Sequence, residues 1–458
     1  MRKIHMIGIG GIGMSGIADV LIHLDFIVSG SDTTETGITK HLRSLGAKID
    51  IGHHRDHLHS PDIVVYSSAI KEDNPEYRQA KHLGIKRIRR AEFLGMLLSV
   101  WPIRIGVAGT HGKTSTSSII TAALDACGSH PSMFIGGIIK DLKTNARMDS
   151  KTYVIFEADE YDRTFLALPP TLAVITNVDA DHLDIYKDLQ DMKDTFLAYA
   201  NSIPENGSVI LCYDDDNARS LLPLIDRPYV TYGTHKNADF QISDISYKNG
   251  SHFTLNYKND KIGLYTITQI GLHNVLNATA ALVTAYLLHL NMKDAGKGLK
   301  AFAGVERRFE LRHQVNDVLF YDDYAHHPTE INATLTALRI IHPKRRITAI
   351  FQPHLFSRTK DFAEGFASSL QKADRIYIAD IYPAREKPIR EVNSNMIVKL
   401  IKDQGMKEVY YTGNLKDTTK MILSVIKDDD IIITIGAGDI WQVSDEIYKE
   451  YNGSQKIK

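Results

Sequence analysis

Ile103-Arg-Ile-Gly-Val-Ala-Gly109-Thr-His-Gly112-Lys113-Thr114-Ser115, followed by the helix-like Ser117-Ile-Ile-Thr-Ala-Ala-Leu124, reads as strand, glycine loop and helix. That order suits a phosphate-binding loop. Glycines let backbone N–H groups turn onto phosphate oxygens, and the helix N-terminus adds positive potential. Lys113 can reach a terminal phosphate, and Thr114 can hold Mg²⁺. The strict G-x-x-x-x-G-K-[ST] spacing would place glycine at 107, where Val107 stands. The loop is a variant that points to nucleoside triphosphate use without naming a family, and a simple glycine turn is the alternative.

Two similar patterns flank this one. Upstream, a strand at Ile4–Ile9 enters Gly8-Ile-Gly-Gly-Ile-Gly13-Met-Ser-Gly16, a helix follows over Ile17–Leu24, and a second strand near Phe26 ends at Asp32. This βαβ unit with an acid after its second strand favours a nucleotide or nucleotide sugar over mere packing. Another strand, Ile63–Tyr66, leads to Ser67-Ser68-Ala69. Trp101-Pro102 marks a seam. Downstream of about Glu306, apolar strands at Val318–Tyr321, Ile347–Phe351, Ile376–Ala379, Glu408–Tyr411 and Ile431–Ile435 alternate with amphipathic segments, and the last ends in Gly436-Ala-Gly-Asp-Ile440. Alternation of this kind gives a parallel sheet covered on both faces. Between 238 and 268, short alternating runs and the Asn249-Gly250 turn predict a small antiparallel excursion. A helix is expected over Val275–Leu290. The fold class is therefore α/β in three domains: 1–102, Rossmann-like; 103–305, a P-loop ATPase-like parallel sheet; and 306–458, Rossmann-like.

The 458 residues suffice for about three domains. With 54 Lys+Arg against 55 Asp+Glu, the net charge of −1 offers no global attraction to nucleic acid or a membrane surface. Cys127 and Cys212 lack metal spacing and are too few for a disulfide framework. No apolar run approaches ~20 residues and no signal peptide is apparent, so a cytoplasmic protein without membrane insertion is expected.

Further chemistry follows strand ends. Glu157-Ala-Asp159-Glu160 comes after the strand Tyr153–Phe156, where Glu157 or Asp159 can ligate Mg²⁺; the alternative is a solvated acidic loop. Asp179-Ala-Asp181-His182 comes after Leu172–Thr176, and His182 reads either as a metal or phosphate group or as a buried capping histidine. Asn274 reads as a simple N-cap or as an adenine reader. Arg307-Arg308 could meet a transferring phosphate or be surface charge. Asp322-Asp323-Tyr-Ala-His326-His327 lacks the spacing of a zinc site. Arg358 can clamp a carboxylate.

Taken in order, GIGGIGMSG (8–16), GTHGKTS (109–115), EADE (157–160), DADHLD (179–184), GLHNVLNA (271–278), DDYAHHPTEI (322–331) and FQPHLFSRT (351–359) resemble the Mur ligases, ATP-dependent amide-forming enzymes of peptidoglycan synthesis. The resemblance spans the chain and is strongest to the alanine-adding branch. It implies cell-wall precursor synthesis serving cell shape and division, with UDP-N-acetylmuramate, L-alanine and ATP as substrates. Two Mg²⁺ are implied, with Mn²⁺ able to substitute, in a monomer or weak homodimer. The UDP-sugar would meet Gly10, Gly11, Ile12, Gly13, Ser15, Asp32, Ser67, Ser68 and Ala69. ATP would meet Gly109, Thr110, His111, Gly112, Lys113, Thr114, Ser115, Asn274, Asn277, Arg308 and Asp323. The amino acid would meet Tyr324, His326, His354 and Arg358, and metal would meet Thr114, Glu157 and His182. Lys113, His182, Arg308 and His326 would be catalytic.

Three positions depart from the family pattern. Leu355 replaces a frequent arginine, which leaves the alanine carboxylate to Arg358. Phe196 stands at the spacing where several Mur ligases carry a carbamylated lysine, so none is expected there, although Lys187 and Lys193 are nearby. Tyr161 after EADE is shared with the ligase that recycles a tripeptide onto UDP-N-acetylmuramate, the nearest alternative. An NAD-dependent oxidoreductase or a nucleotide-sensing protein would explain only the first glycine turn.

Overall fold

The structure is a computed structural model describing residues 2–67, 69–182, 185–384 and 386–455. Ser68, expected to meet the UDP-sugar, and Leu183 and Asp184 of the DADHLD segment lie outside these residues, as does the side chain of Ile12.

Three sheets form. The first runs Lys48–Ile51, Ile27–Asp32, Lys3–Ile7, Ile63–Tyr66, Lys86–Arg89 across its width, and every neighbouring pair is parallel. The second has ten strands, among which Ile103–Ala108 lies between Leu172–Ile175 and Tyr153–Glu157 and is parallel to both. The third has six strands, and Val318–Asp323, Ile431–Ile435, Ile347–Phe351 and Arg375–Ala379 are consecutive parallel neighbours in it. Their interiors read Val/Ile-rich because helices cover both faces; Ile431–Ile435 is buried throughout.

Two compact units contain these sheets. One comprises Met1–Ser246, His252–Thr268 and Asn274–Ala303; the other comprises Gly304–Lys458 with the short segments Tyr247–Ser251 and Gln269–His273. Within the first unit, the opening helix Ile12–His23 packs on the strands Ser132–Ile139 and Thr144–Arg147. Ala146 crowds the helix at Gly16.

Six strands lie beyond those expected from the sequence: Lys48–Ile51, Lys86–Arg89, Thr144–Arg147 and Glu310–Val315, which are polar edge strands, and Ser132–Ile139 and Tyr229–Gly233, which are apolar or β-branched strands inside the central sheet. The expected excursion over 238–268 consists of three strands, Phe240–Tyr247, Ser251–Tyr257 and Asp260–Ile267, that extend the central sheet. Asn249 (φ 55°) with Gly250 (φ 125°), and Lys258 (φ 47°) with Asn259 (φ 73°), make the turns. The helix expected from Val275 starts earlier, as Leu272–Leu287, so Asn274 lies inside its first turn and is not the N-cap.

Candidate functional site

Adjacent parallel strands end at one edge of a sheet, and this alone gathers the motifs. In the central sheet, Ala108 pairs with Ile175 and Val107 with Glu157. The segments that follow, 109–112, 176–182 and 158–160, therefore emerge side by side.

The glycine loop bends through Gly109 (φ 143°) and Gly112 (φ 82°), conformations that a side chain strains. The helix Lys113–Ala126 starts directly after Gly112, as a phosphate-binding loop requires. The segment after Ile175 holds this loop in place. Asn177 Oδ1 accepts from His111 N at 2.8 Å, and its Nδ2 donates to His111 O at 3.0 Å. Thr176 Oγ1 donates to the same carbonyl at 2.8 Å, Asp179 N donates to Thr110 Oγ1 at 2.9 Å, and His111 Nε2 lies 3.2 Å from Asp179 Oδ2. Buried Asn277 accepts from Thr116 Oγ1 at 3.0 Å and sits beneath Gly112, where a side chain at 112 would touch its amide. Thr114 and Asn274 are buried and Ser115 is half-buried on the first turns of their helices.

Lys113 Nζ donates to Gly109 O at 2.7 Å, Thr110 O at 3.2 Å and Glu160 Oε2 at 2.7 Å. Burial would lower its pKa, yet the carboxylates of Glu160, Asp159 and Glu157 outweigh burial and raise it. Glu160 is fully buried. Its carboxyl, which burial would raise, is held below the ordinary range by Lys113 and His182. Its Oε1 has no hydrogen-bond partner and faces His182 Nε2 at 3.6 Å. Left-handed turns at Asp162 (φ 54°), Arg163 (φ 55°) and His182 (φ 53°) follow or carry these groups. Tyr161 meets the His182 ring edge-on at 5.1 Å. Sequence reading passed over Glu160 in favour of Glu157 and Asp159; a run of four residues with three acids does not reveal which one turns inward.

Glu157 Oε1 accepts from Gly136 N at 2.6 Å, and Glu157 with Asp159 lines a cavity of ≈ 230 Å³ together with Gly13, Arg90, Phe134 and Asn145. The first glycine turn thus shares a cavity with the acids of the central sheet. Arg90 was absent from the sequence reading; its guanidinium occupies the space a side chain at Gly13 would need. Asp32 braces this turn: Oδ2 accepts from Gly10 N at 2.8 Å and Oδ1 from Thr33 N at 2.8 Å. Ser31 O receives Gly8 N and Ile9 N, Ser15 is buried in the helix that follows, and Ser67 packs beside Gly8. Gly11 lies at the N-cap of that helix, and Ala69 is exposed just beyond the end of Ile63–Tyr66.

The second unit gathers its residues by the same construction, since Asp323 and Phe351 both pair with Ile435. His326 and Tyr324 rings lie 5.6 Å apart, His326 and His354 6.1 Å apart, and Arg358 Nη1 is 3.4 Å from His354 Nδ1. Tyr382, which sequence reading missed, stacks on His354 at 5.7 Å. All four residues expected around the amino acid are therefore neighbours. Leu355, in the left-handed region (φ 69°), starts the helix Phe356–Leu370 that carries buried Arg358. Arg308 and Arg307 each lie 5.0 Å over the Tyr324 ring, and Arg307 also pairs with buried Asp322 at 3.0 Å. Asp323 accepts from Thr334 Oγ1 at 2.7 Å and Ala325 N at 2.9 Å; burial pushes its carboxyl up to about 6 against the pull of Arg308.

A parallel-sheet glycine loop ending in a half-buried lysine, with acids and a histidine at the neighbouring strand ends, defines a nucleotide-using α/β enzyme. Comparison with known proteins makes the class specific. Residues 3–101 match the Mur ligase family catalytic domain, 107–285 the Mur ligase middle domain, and 307–438 the Mur ligase glutamate ligase domain. The UDP-N-acetylmuramate–L-alanine ligase of Geotalea uraniireducens is 43% identical over 454 residues, 99% of each chain, and that of Geotalea daltonii is 41% identical over 98% of each. Among solved structures, the UDP-N-acetylmuramate-alanine ligase of Thermotoga maritima superposes with a TM-score of 0.85 at 28% identity, covering 99% of this chain and 100% of that one. The murein peptide ligase of Psychrobacter arcticus gives 0.74 at 26%, covering 99% of each. The chain belongs to the Mur ligase family.

Proposed function

We propose that this chain is the ATP-dependent ligase that joins L-alanine to the lactyl carboxylate of UDP-N-acetylmuramate, releasing ADP and phosphate, in peptidoglycan precursor synthesis. One observation carries the reading: 43% identity, over 99% of both chains, to a ligase of that name. A carboxylate is a poor electrophile. ATP phosphorylates it, the amine of alanine attacks the acyl phosphate, and the tetrahedral intermediate collapses to amide and phosphate.

The side chains suit these steps. Lys113 offers a preorganised cation to the moving phosphate, and the loop backbone, held at His111 by Asn177 and Thr176, keeps its remaining N–H groups in place for the other phosphates. Asn274, Asn277, Arg308 and Asp323 are assigned to the nucleotide. Arg358, supported by His354, presents a planar fork to the alanine carboxylate, with Tyr324 and His326 beside it. The glycine turn 8–13 and its helix N-terminus receive the pyrophosphate of the UDP-sugar. Hard carboxylate oxygens, a hydroxyl and an imidazole, with the orphaned Oε1 of Glu160 among them, fit Mg²⁺. Thr114, Glu157 and His182 would hold it, and it would neutralise charge on the phosphates. No helix among the described residues is long and apolar enough to cross a membrane.

The test is phosphate release from ATP with each candidate acceptor. Release is expected only when UDP-N-acetylmuramate and L-alanine are both present; release driven by the alanyl-glutamyl-diaminopimelate tripeptide instead would make the chain a recycling ligase. Arg358→Lys should raise the alanine KM about tenfold or more and leave the ATP KM nearly unchanged, because an ammonium cannot reproduce the fork. Unchanged alanine kinetics would move the amino acid away from Arg358.

A further inference from the structure

We infer that Glu160 is an exchangeable counter-ion: it neutralises Lys113 in the nucleotide-free protein and, when phosphate takes Lys113, becomes with His182 a ligand of the divalent cation. The inference rests on the ATP-using reading above and adds a residue to it.

Three observations support it. An ammonium has three N–H donors, and Lys113 directs them at Gly109 O, Thr110 O and Glu160 Oε2. Nothing on Lys113 is left for a phosphate, so nucleotide binding must displace at least one acceptor. The two carbonyls belong to the loop that cradles the phosphates, whereas Glu160 is a side chain that can rotate. Secondly, a buried carboxylate that loses its cation cannot remain unpaired, because an uncompensated buried charge is strongly destabilising. Thirdly, Glu160 already presents a second oxygen, buried and without a hydrogen-bond partner, at 3.6 Å from His182 Nε2. A carboxylate oxygen and an imidazole nitrogen converging in this way form a donor pair for a divalent cation. Tyr186 Oη donates to the Glu160 carbonyl at 2.6 Å, which fixes the backbone while the carboxylate exchanges partners.

The test uses the full-length chain, Mn²⁺ detected by electron paramagnetic resonance, and the non-hydrolysable β,γ-imido analogue of ATP. Glu160→Gln keeps the shape and removes the charge. With the analogue bound, its Mn²⁺ affinity should fall roughly tenfold or more. Without metal, its affinity for the analogue should rise about fivefold, because the phosphate no longer competes with a carboxylate for Lys113. A merely structural role would not move the two measurements in opposite directions. Glu160→Asp, which keeps the charge, should recover part of the Mn²⁺ affinity. Wild-type Mn²⁺ affinity in Glu160→Gln would overturn the ligand role, and weaker metal-free binding of the analogue would overturn the counter-ion role. Failure of the wild-type chain to bind the analogue at all would overturn both this inference and the use of ATP. Normal wild-type binding with an unchanged variant would overturn this inference alone.

Discussion

The two glycine turns of the first unit have the same local build and draw positive charge from different places. Both follow a parallel strand and open a helix, at 8–13 and at 109–112. The second carries its own cation, Lys113, one residue past Gly112, and the segment after Ile175 holds this loop through hydrogen bonds between side chains and backbone. The first has no cation in its sequence. Its positive charge comes from Arg90, on the helix Arg90–Leu98, and its shape from Asp32 and from Ser31, whose hydroxyl donates to buried Glu76 at 2.8 Å. The contrast teaches that a loop built for phosphoryl transfer keeps its charge local, where a fixed cation stabilises the transition state. On the roles proposed above, a loop that only binds can borrow charge from a distant segment.

Removing the local cation should have the largest effect. Lys113→Ala should lower kcat about 10² to 10³-fold or more, while the affinity for UDP-N-acetylmuramate, measured by calorimetry, stays within about twofold of wild type. Equal loss of both would erase the functional division between the two turns.

The brace behind the first turn is the next target. Glu76 is fully buried and bonded to His5 at 2.8 Å and His53 at 3.2 Å. Burial alone would raise its carboxyl, but these histidines and Ser31 hold it at about 2, below the ordinary 4.5. A depressed carboxyl adds stability that is present above pH 4.5 and lost as pH falls towards 2, about 3 kcal/mol in all. Glu76→Gln cannot ionise. Its melting temperature should therefore be lower at pH 6 and change less than that of wild type between pH 5 and pH 2.5; parallel curves would deny the network its role.

Gly13→Ala should raise the KM for UDP-N-acetylmuramate about tenfold by displacing Arg90, the value of one charge-assisted hydrogen bond. The ATP KM should hold steady. Substitution without effect would show that Arg90 serves packing only.

Asn177→Ala should have the smallest effect. It removes two hydrogen bonds to His111 and should cost about 1 to 2 kcal/mol in denaturant unfolding, with a matching rise in the ATP KM. Stability lost without a change in ATP kinetics would mean that the clamp supports the fold and not the loop's readiness for phosphate.

Residues close together in the chain were legible beforehand. Lys113 follows Gly112, and the Ile/Val runs of the central strands have the period and length of a buried parallel sheet. The sequence by itself therefore determined the alternation of strand and helix and the three glycine-rich turns, one of them the variant phosphate loop, because each depends on φ/ψ preferences and hydrophobic spacing within a few residues. The margins were not legible. A strand such as Lys86–Arg89 has no apolar alternation and exists because Ile63–Tyr66 offers it a free edge. Nor did the sequence show which acid of EADE turns inward, that Arg90 reaches Gly13, or that Tyr382 stacks on His354. Those contacts join residues tens of positions apart. Only the tertiary structure decides them, since strand order and register bring the loops to one sheet edge and burial then selects which polar groups must be paired.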